Sequence, residues 1–238
     1  YGDDAIAAYR SLVAEYPKTA YRDEAEFRRG ELLFTTKDYV KAEQAYTTVL
    51  AGDSANPYRE RSLYMQGWSR FKQGKLEESL QSFFGVLDLT VAERDGDGGL
   101  DTIAGLSRAD RELVEDTFRV MSLSLANLQG AESIPPYVTD AKRKSYEYRV
   151  YEQLGELYIK QDRTKDAADT FGAFVKREPL HAQAPILAAR VIDIYQEAGF
   201  AALALDAKKD YVSRYGADSE FRRSNPPGWA GAQPLVKT

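Results

Sequence analysis

The sequence has no cysteine and one histidine, His181. Thiolate zinc sites, disulfides, cysteine nucleophiles and every two-histidine metal motif are thereby excluded, and any metal site would have to be built from oxygen ligands. Long apolar runs are also missing. The uncharged stretches Val120 to Ala131, of 12 residues with Ser, Asn and Gln, and Ser224 to Val236, of 13 residues with three prolines, are short of the ~18 a spanning helix needs; direct membrane insertion is not expected. Nor is there a basic excess: 32 Lys plus Arg face 37 Asp plus Glu, for a formal charge of -5, which does not suit a phosphate backbone and argues against nucleic acid as partner. The chain opens at Tyr1 without Met or a basic leader, which is expected of a piece of a larger, multidomain parent chain.

What is present is a repeat. Around Gly155 lie Tyr151, Leu154 and Tyr158, then Ala167, Phe171, Phe174 and Pro179. The first set shares one stripe of a 3.6-residue helix and the second set one stripe of the next, with the polar turn Gln161 to Thr164 between them. A glycine inside a helix costs about 1 kcal/mol against alanine, and close approach of the paired helix is the usual reason for it. The same template places Leu63, Ser79, Phe83 and Val86 around Gly67, with Gly74 as a left-handed cap, and Leu33, Ala42, Tyr46 and Val49 around Gly30. Ala5, Tyr9, Leu12 and Pro17 repeat the second helix alone.

The anchors Gly30, Gly67, Met121, Gly155 and Ala189 are separated by 37, 54, 34 and 34 residues. The surplus in the second interval falls on Leu87 to Asp110, where helical periodicity breaks among clustered glycines. The spacing gives a single repeat domain over 1–216: a half repeat at 1–17, repeats at 18–56, 57–87, 111–145, 146–180 and 181–216, and an insertion at 88–110. Pro135 and Pro136 stand where the Met121 copy should start its second helix, so that helix should be short or irregular. In the last copy Ala204 fits the small-residue position better than Ala201, implying a first helix one turn longer. Residues 217–238 lose the pattern, and Phe221 and Trp229 are expected to dock on the end of the array.

These residues resemble the tetratricopeptide repeat family, a 34-residue helix-turn-helix with small residues in both helices and proline at the exit. The Gly30, Gly67 and Met121 copies depart from the pattern at Glu26 and Arg29, at Gln66 and Arg70, and at the two prolines. The resemblance implies an all-α, right-handed superhelical solenoid of about five helix pairs. The runs AIAAYRSLVAEYPKTAYRDEAEFRRGELLF and DYVKAEQAYTTVL are similar to Gram-negative periplasmic and outer-membrane-associated members, such as the lipoprotein of the β-barrel assembly machine and the Tol-Pal-associated coordinator. That similarity implies a periplasmic or outer-membrane-associated location, with the cytoplasm as the alternative.

In such an array, first-helix residues off the packing stripe line a groove for a protein or peptide partner. They are Phe27, Glu31 and Phe34 around Gly30; Tyr64, Trp68, Phe71 and Lys72 around Gly67; and Arg149, Glu152, Glu156 and Lys160 around Gly155. Tyr64 and Trp68 are expected to be exposed, and rigid rings with polar rims suit peptide binding. Glu31, Trp68 and Glu156 stand where family members that clamp a C-terminal carboxylate carry Lys and Asn, so a chaperone-tail clamp is not implied. A carbohydrate-binding scaffold of an envelope polysaccharide system is the alternative, with Trp68 and Tyr64 stacking sugars.

No catalytic residue, cofactor or metal is expected. G-x-S-x-G occurs nowhere, and Gln73 to Lys75 lacks the remainder of a phosphate loop. Asp95, Asp97 and Asp101 alternate like a calcium loop, but Leu100 and Leu106 occupy the places that need Gly and Glu. A non-enzymatic interaction scaffold is the reading these residues support.

Overall fold

A computed structural model describes residues 2–17, 19, 21–92, 103 and 105–225. Among the described residues the chain is all-α, with no strand. Its helices are α1 (Gly2–Glu15), α2 (Arg22–Thr35), α3 (Tyr39–Leu50), α4 (Arg59–Lys72), α5 (Leu76–Leu87), α6 (Arg108–Ala126), α7 (Ala141–Lys160), α8 (Thr164–Arg177), α9 (Ala184–Glu197), α10 (Ala201–Tyr215) and α11 (Glu220–Ser224). Consecutive helices pack as antiparallel hairpins, and each hairpin lies against the next: α2 with α3, α3 with α4, α4 with α5 and α5 with α6 in one compact unit, α8 with α9 and α9 with α10 in another. The first unit comprises Tyr1–Leu128 and Pro135–Tyr146, the second Gln129–Ile134 and Glu147–Thr238.

One kind of contact explains the three anchor glycines. Tyr46, Phe83 and Phe171 each stand sixteen residues after Gly30, Gly67 and Gly155. A Cβ on Gly30 or Gly67 would sit 2.6 Å from the Tyr46 or Phe83 ring, and one on Gly155 would collide with Phe171 in the same way. The three rings are fully buried, which removes roughly 1.5–3 kcal/mol worth of apolar side chain from water in each case. Twelve residues after each glycine, Ala42, Ser79 and Ala167 are also fully buried. Methionine at 121 leaves no such room: Tyr137, sixteen residues on, instead stacks on Phe84 at 5.2 Å with planes 10° apart. In place of a second helix the chain there makes two 3-10 turns, Gly130–Ser133 and Pro135–Tyr137.

Turns keep the same register. Lys37, Gly74 and Asp162, each seven residues after its glycine, have φ of 66°, 76° and 56°. Gly199 has φ 76°, but it lies seven residues after Ile192, not after Ala189. Helix α9 ends five residues after Ile192, as α2, α4 and α7 end five after their glycines, and Ala204, twelve after Ile192, is buried while Ala201 is exposed. The small-residue choice of Ala204 agrees with this. The anchor does not: α9 is no longer than α2 or α4, at 14 residues each, and is displaced one turn along the chain. Lys208, not an aromatic, follows Ile192 at sixteen residues, so no ring demands a glycine there.

Polar contacts fix neighbouring hairpins in the first unit. Glu43 of α3 accepts hydrogen bonds from Arg70 (2.8 Å), Lys75 (2.8 Å) and Gln73 (2.9 Å). Burial pushes its carboxyl up, but these three donors outweigh burial and hold it below the usual carboxylate range. Ser82 donates to Gln66 at 2.8 Å, and Ser79 and Ser124 share a hydrogen bond of 3.2 Å. Arg143 and Tyr146 both donate to Asp88. Asp88 opens a single π turn, Asp88–Ala92, that extends α5 into the stretch expected to be an insertion. Asp95, Asp97, Leu100 and Asp101 of the calcium-loop comparison lie outside the described residues, as does Trp229. Phe221 is buried, edge-on to Tyr215 at 5.1 Å.

Candidate docking surfaces

The first-helix positions counted from each glycine fall into three groups. On α2, Phe27 is 1% exposed, with ring centroids 5.2 Å from Tyr58 and 5.9 Å from Tyr46. This corrects its expected place in a groove: Tyr46 of its own hairpin and Tyr58 of the hairpin that follows enclose the Phe27 ring, so it is core. Phe34 is half-buried and edge-on to Tyr39 at 5.2 Å, so it packs within its own hairpin. Glu31 pairs with Arg28 at 2.9 Å on the same helix.

On α4 three rings run in series. Trp68 meets Tyr64 at 6.5 Å and 79°, and Phe71 at 5.6 Å and 82°, both the edge-to-face arrangement that aromatic quadrupoles favour. The Lys72 ammonium lies 5.6 Å from the Trp68 ring. All three rings are half-buried and Lys72 is exposed. Tyr64 and Trp68 are therefore less open than their helical position implied. For Tyr64 the reason is α6: its hydroxyl donates a short hydrogen bond to Asp116, which also receives Arg119. Burial first, then the Asp116 hydrogen bond, pushes the phenol up to about 12, so the group is a neutral donor at any physiological pH.

The α7 face is ionic. Glu156 accepts a short hydrogen bond from Arg190 of α9. Glu152 is half-buried; burial and then the nearby Glu156 raise its carboxyl, against the opposing charges of Arg149 and Arg190. The Arg149 guanidinium sits 5.3 Å from the Tyr148 ring, and Lys160 is exposed in the last turn. The α2 and α4 positions belong to the first unit and this α7 face to the second. Asp116, Arg119 and Arg190 were not among the expected surface residues. Arg190 stands one residue after Ala189, as Glu31, Trp68 and Glu156 stand one after their glycines, whereas Asp116 and Arg119 fall at none of these offsets from Met121.

His181 is wedged between Tyr148 (5.5 Å) and Phe174 (5.3 Å), and its Nδ1 accepts the Gln183 N–H at 3.1 Å. Burial lowers its pKa, with Glu178 partly opposing. It serves as a packed ring in the α8–α9 turn. Among the described residues there is no cluster of three or more metal-ligating side chains and no helix long and apolar enough to cross a membrane.

Two family profiles match the sequence, both described as tetratricopeptide repeat, one over residues 2–57 and one over residues 150–181. The first spans α1 to α3 and the second most of the α7–α8 hairpin, so each covers a glycine whose backbone an aromatic ring overlies. No curated protein matches the chain.

Proposed function

We propose, from the premise that this chain is a tetratricopeptide-repeat protein, that it is a non-enzymatic scaffold whose α4 face engages a peptide or partner protein in a bacterial envelope assembly. Repeats of this family are typically interaction modules. The observation that carries the reading is the ring series Tyr64–Trp68–Phe71 with Lys72 at its end. It presents half-buried aromatics beside an exposed cation, the composition of a binding hot spot. The ionic α7 face, with Arg149, Glu152, Glu156 and Lys160, would supply charge selection in the second unit. The envelope location rests on the similarity of the α1–α3 residue runs to periplasmic members of the family.

The carbohydrate alternative has less support. Sugar stacking needs a free ring face, whereas Lys72 lies over Trp68 and the Tyr64 hydroxyl is committed to Asp116.

The test uses the full chain as bait on envelope extracts, beside Trp68→Ala with Lys72→Ala, followed by titration of each purified candidate. Loss of a specific protein with the double variant, at unchanged helical circular dichroism, supports the reading. Equal capture by both baits removes the α4 face from it, and a glycan titration that shifts Trp68 fluorescence would favour sugar.

A further inference from the structure

The α4 face carries charge of one sign at both of its ends. Arg61 stands six residues before Gly67 and Lys72 five after it, on the helical stripe of Tyr64, Trp68 and Phe71. Both are exposed. The Arg61 guanidinium lies 6.0 Å from the Phe27 ring and the Lys72 ammonium 5.6 Å from the Trp68 ring, and among the described residues neither forms an ion pair. The one carboxylate of α4, Glu60, is half-buried with its Oε1 enclosed. Cations on the neighbouring first helices of the same unit are already neutralised: Glu31 takes Arg28 at 2.9 Å on α2, and Asp116 takes Arg119 on α6. Helix α4 thus holds two uncompensated cations at either end of a row of rings, on a chain whose formal charge is -5.

Helix α7 fills the same two places in the same way, with Arg149 six residues before Gly155 and Lys160 five after. Between them it holds Glu152 and Glu156, where α4 holds Tyr64 and Trp68. Cations around carboxylates call for a ligand with positive charge at its centre; cations around rings call for one that is apolar at its centre and acidic at its ends. Spacing narrows this further. Eleven residues of helix separate Arg61 from Lys72, about 16–17 Å along the axis, and an extended chain covers that span in about five residues.

We infer, resting on the reading of α4 as a docking face, that its occupant is an extended protein segment with two carboxylates about five residues apart and apolar side chains between them. One carboxylate meets Arg61, the other meets Lys72 from the solvent side of its ammonium, and the apolar side chains lie against Trp68 and Phe71. Positive ends on an otherwise acidic molecule also steer such a segment to this face in preference to the rest of the surface.

The test titrates the full chain into three hexapeptides, DSLFSD, its amide counterpart NSLFSN and the regrouped SLFSDD, each with a neutral dye at the N-terminus and an amidated C-terminus, read by fluorescence anisotropy. DSLFSD should bind about four- to twenty-five-fold tighter than NSLFSN at low salt, the product of two exposed ion pairs, and tighter than SLFSDD; added salt should narrow the first gap. Arg61→Gln and Lys72→Gln should each weaken DSLFSD about two- to five-fold and leave NSLFSN unchanged. Equal binding of DSLFSD and NSLFSN overturns the inference, and if Trp68→Ala then weakens both alike, the docking reading stands without it. A preference for DSLFSD that survives both glutamine variants, or that SLFSDD shares in full, overturns it as well, as does the absence of binding by all three, in which case the capture experiment alone decides the docking reading. Should a glutamine variant lose helical circular dichroism, the ranking of the three peptides and its salt dependence on the parent chain still decide.

Discussion

The Phe171 ring lies across the backbone of Gly155, on the facing helix of the same hairpin, so closely that no side-chain atom fits between them. Gly155→Ala should therefore destabilise the α7–α8 hairpin by about 1–3 kcal/mol through overpacking, despite alanine's better helix propensity. Gly172, one residue after Phe171, is the control: a Cβ there meets nothing within 4 Å. Gly172→Ala should stabilise by about 0.5–1 kcal/mol. Chemical denaturation of the two variants should move the midpoint in opposite directions, and a shared direction would contradict the packing described.

The turn position seven residues after each anchor makes a second pair. Lys37 holds φ 66° with a side chain, where the next hairpin uses Gly74 at φ 76°. Left-handed backbone costs a non-glycine residue about 1–2 kcal/mol. Lys37→Gly should recover up to about 1 kcal/mol, and Gly74→Ala should lose about the same, both read from urea unfolding curves. The Lys37 result is the sharper one, since no side-chain hydrogen bond or ion pair involving it is among the described contacts.

The helical hairpins were legible from the sequence because glycine, a small residue twelve places on and an aromatic sixteen places on recur with fixed spacing. Where one member of the set is missing, legibility fails in a definable way. Ala189 imitates an anchor by its size, but the turn at Gly199 and the burial of Ala204 count from Ile192. The site residues were less readable than the fold. Offsets along a helix tell which way Phe27, Tyr64 and Glu152 point but not what the following hairpin brings to them, and it brings Tyr58, Asp116 and Arg190 respectively. The first turns an expected surface phenylalanine into core.

Glu152 gives a prediction with a definite sign. Burial raises its folded-state pKa above the ordinary carboxylate value, so the charged form at neutral pH is a cost to the fold that vanishes as pH falls through the raised value. Glu152→Gln should raise the melting temperature at pH 7.5, with the gain shrinking toward pH 4. A variant less stable than the parent at pH 7.5 would mean that Glu152 makes a favourable ion pair there.

His181 carries the opposite dependence. Its folded pKa is lowered by burial, so the unfolded chain binds the proton more tightly, and stability is complete above the unfolded value near 6.5 and declines as pH falls through it toward the lowered one. Between pH 7.5 and 5 the loss should reach about 1.4 kcal/mol for each unit separating the two values. Replacement by Phe, which keeps a ring between Tyr148 and Phe174, should flatten that part of the stability profile. Glu43 does not interfere in this range, because its carboxyl is held low.

Glu43 also bears on how the first unit opens. A carboxylate on α3 that is 15% exposed and takes Arg70, Gln73 and Lys75 from α4 and the turn after it leaves three donors stranded if either hairpin detaches alone. Local fluctuations of α2–α3 and α4–α5 are thereby linked, and their amide protons should exchange with solvent at one common slow rate, as a single cooperative block rather than as independently fraying modules.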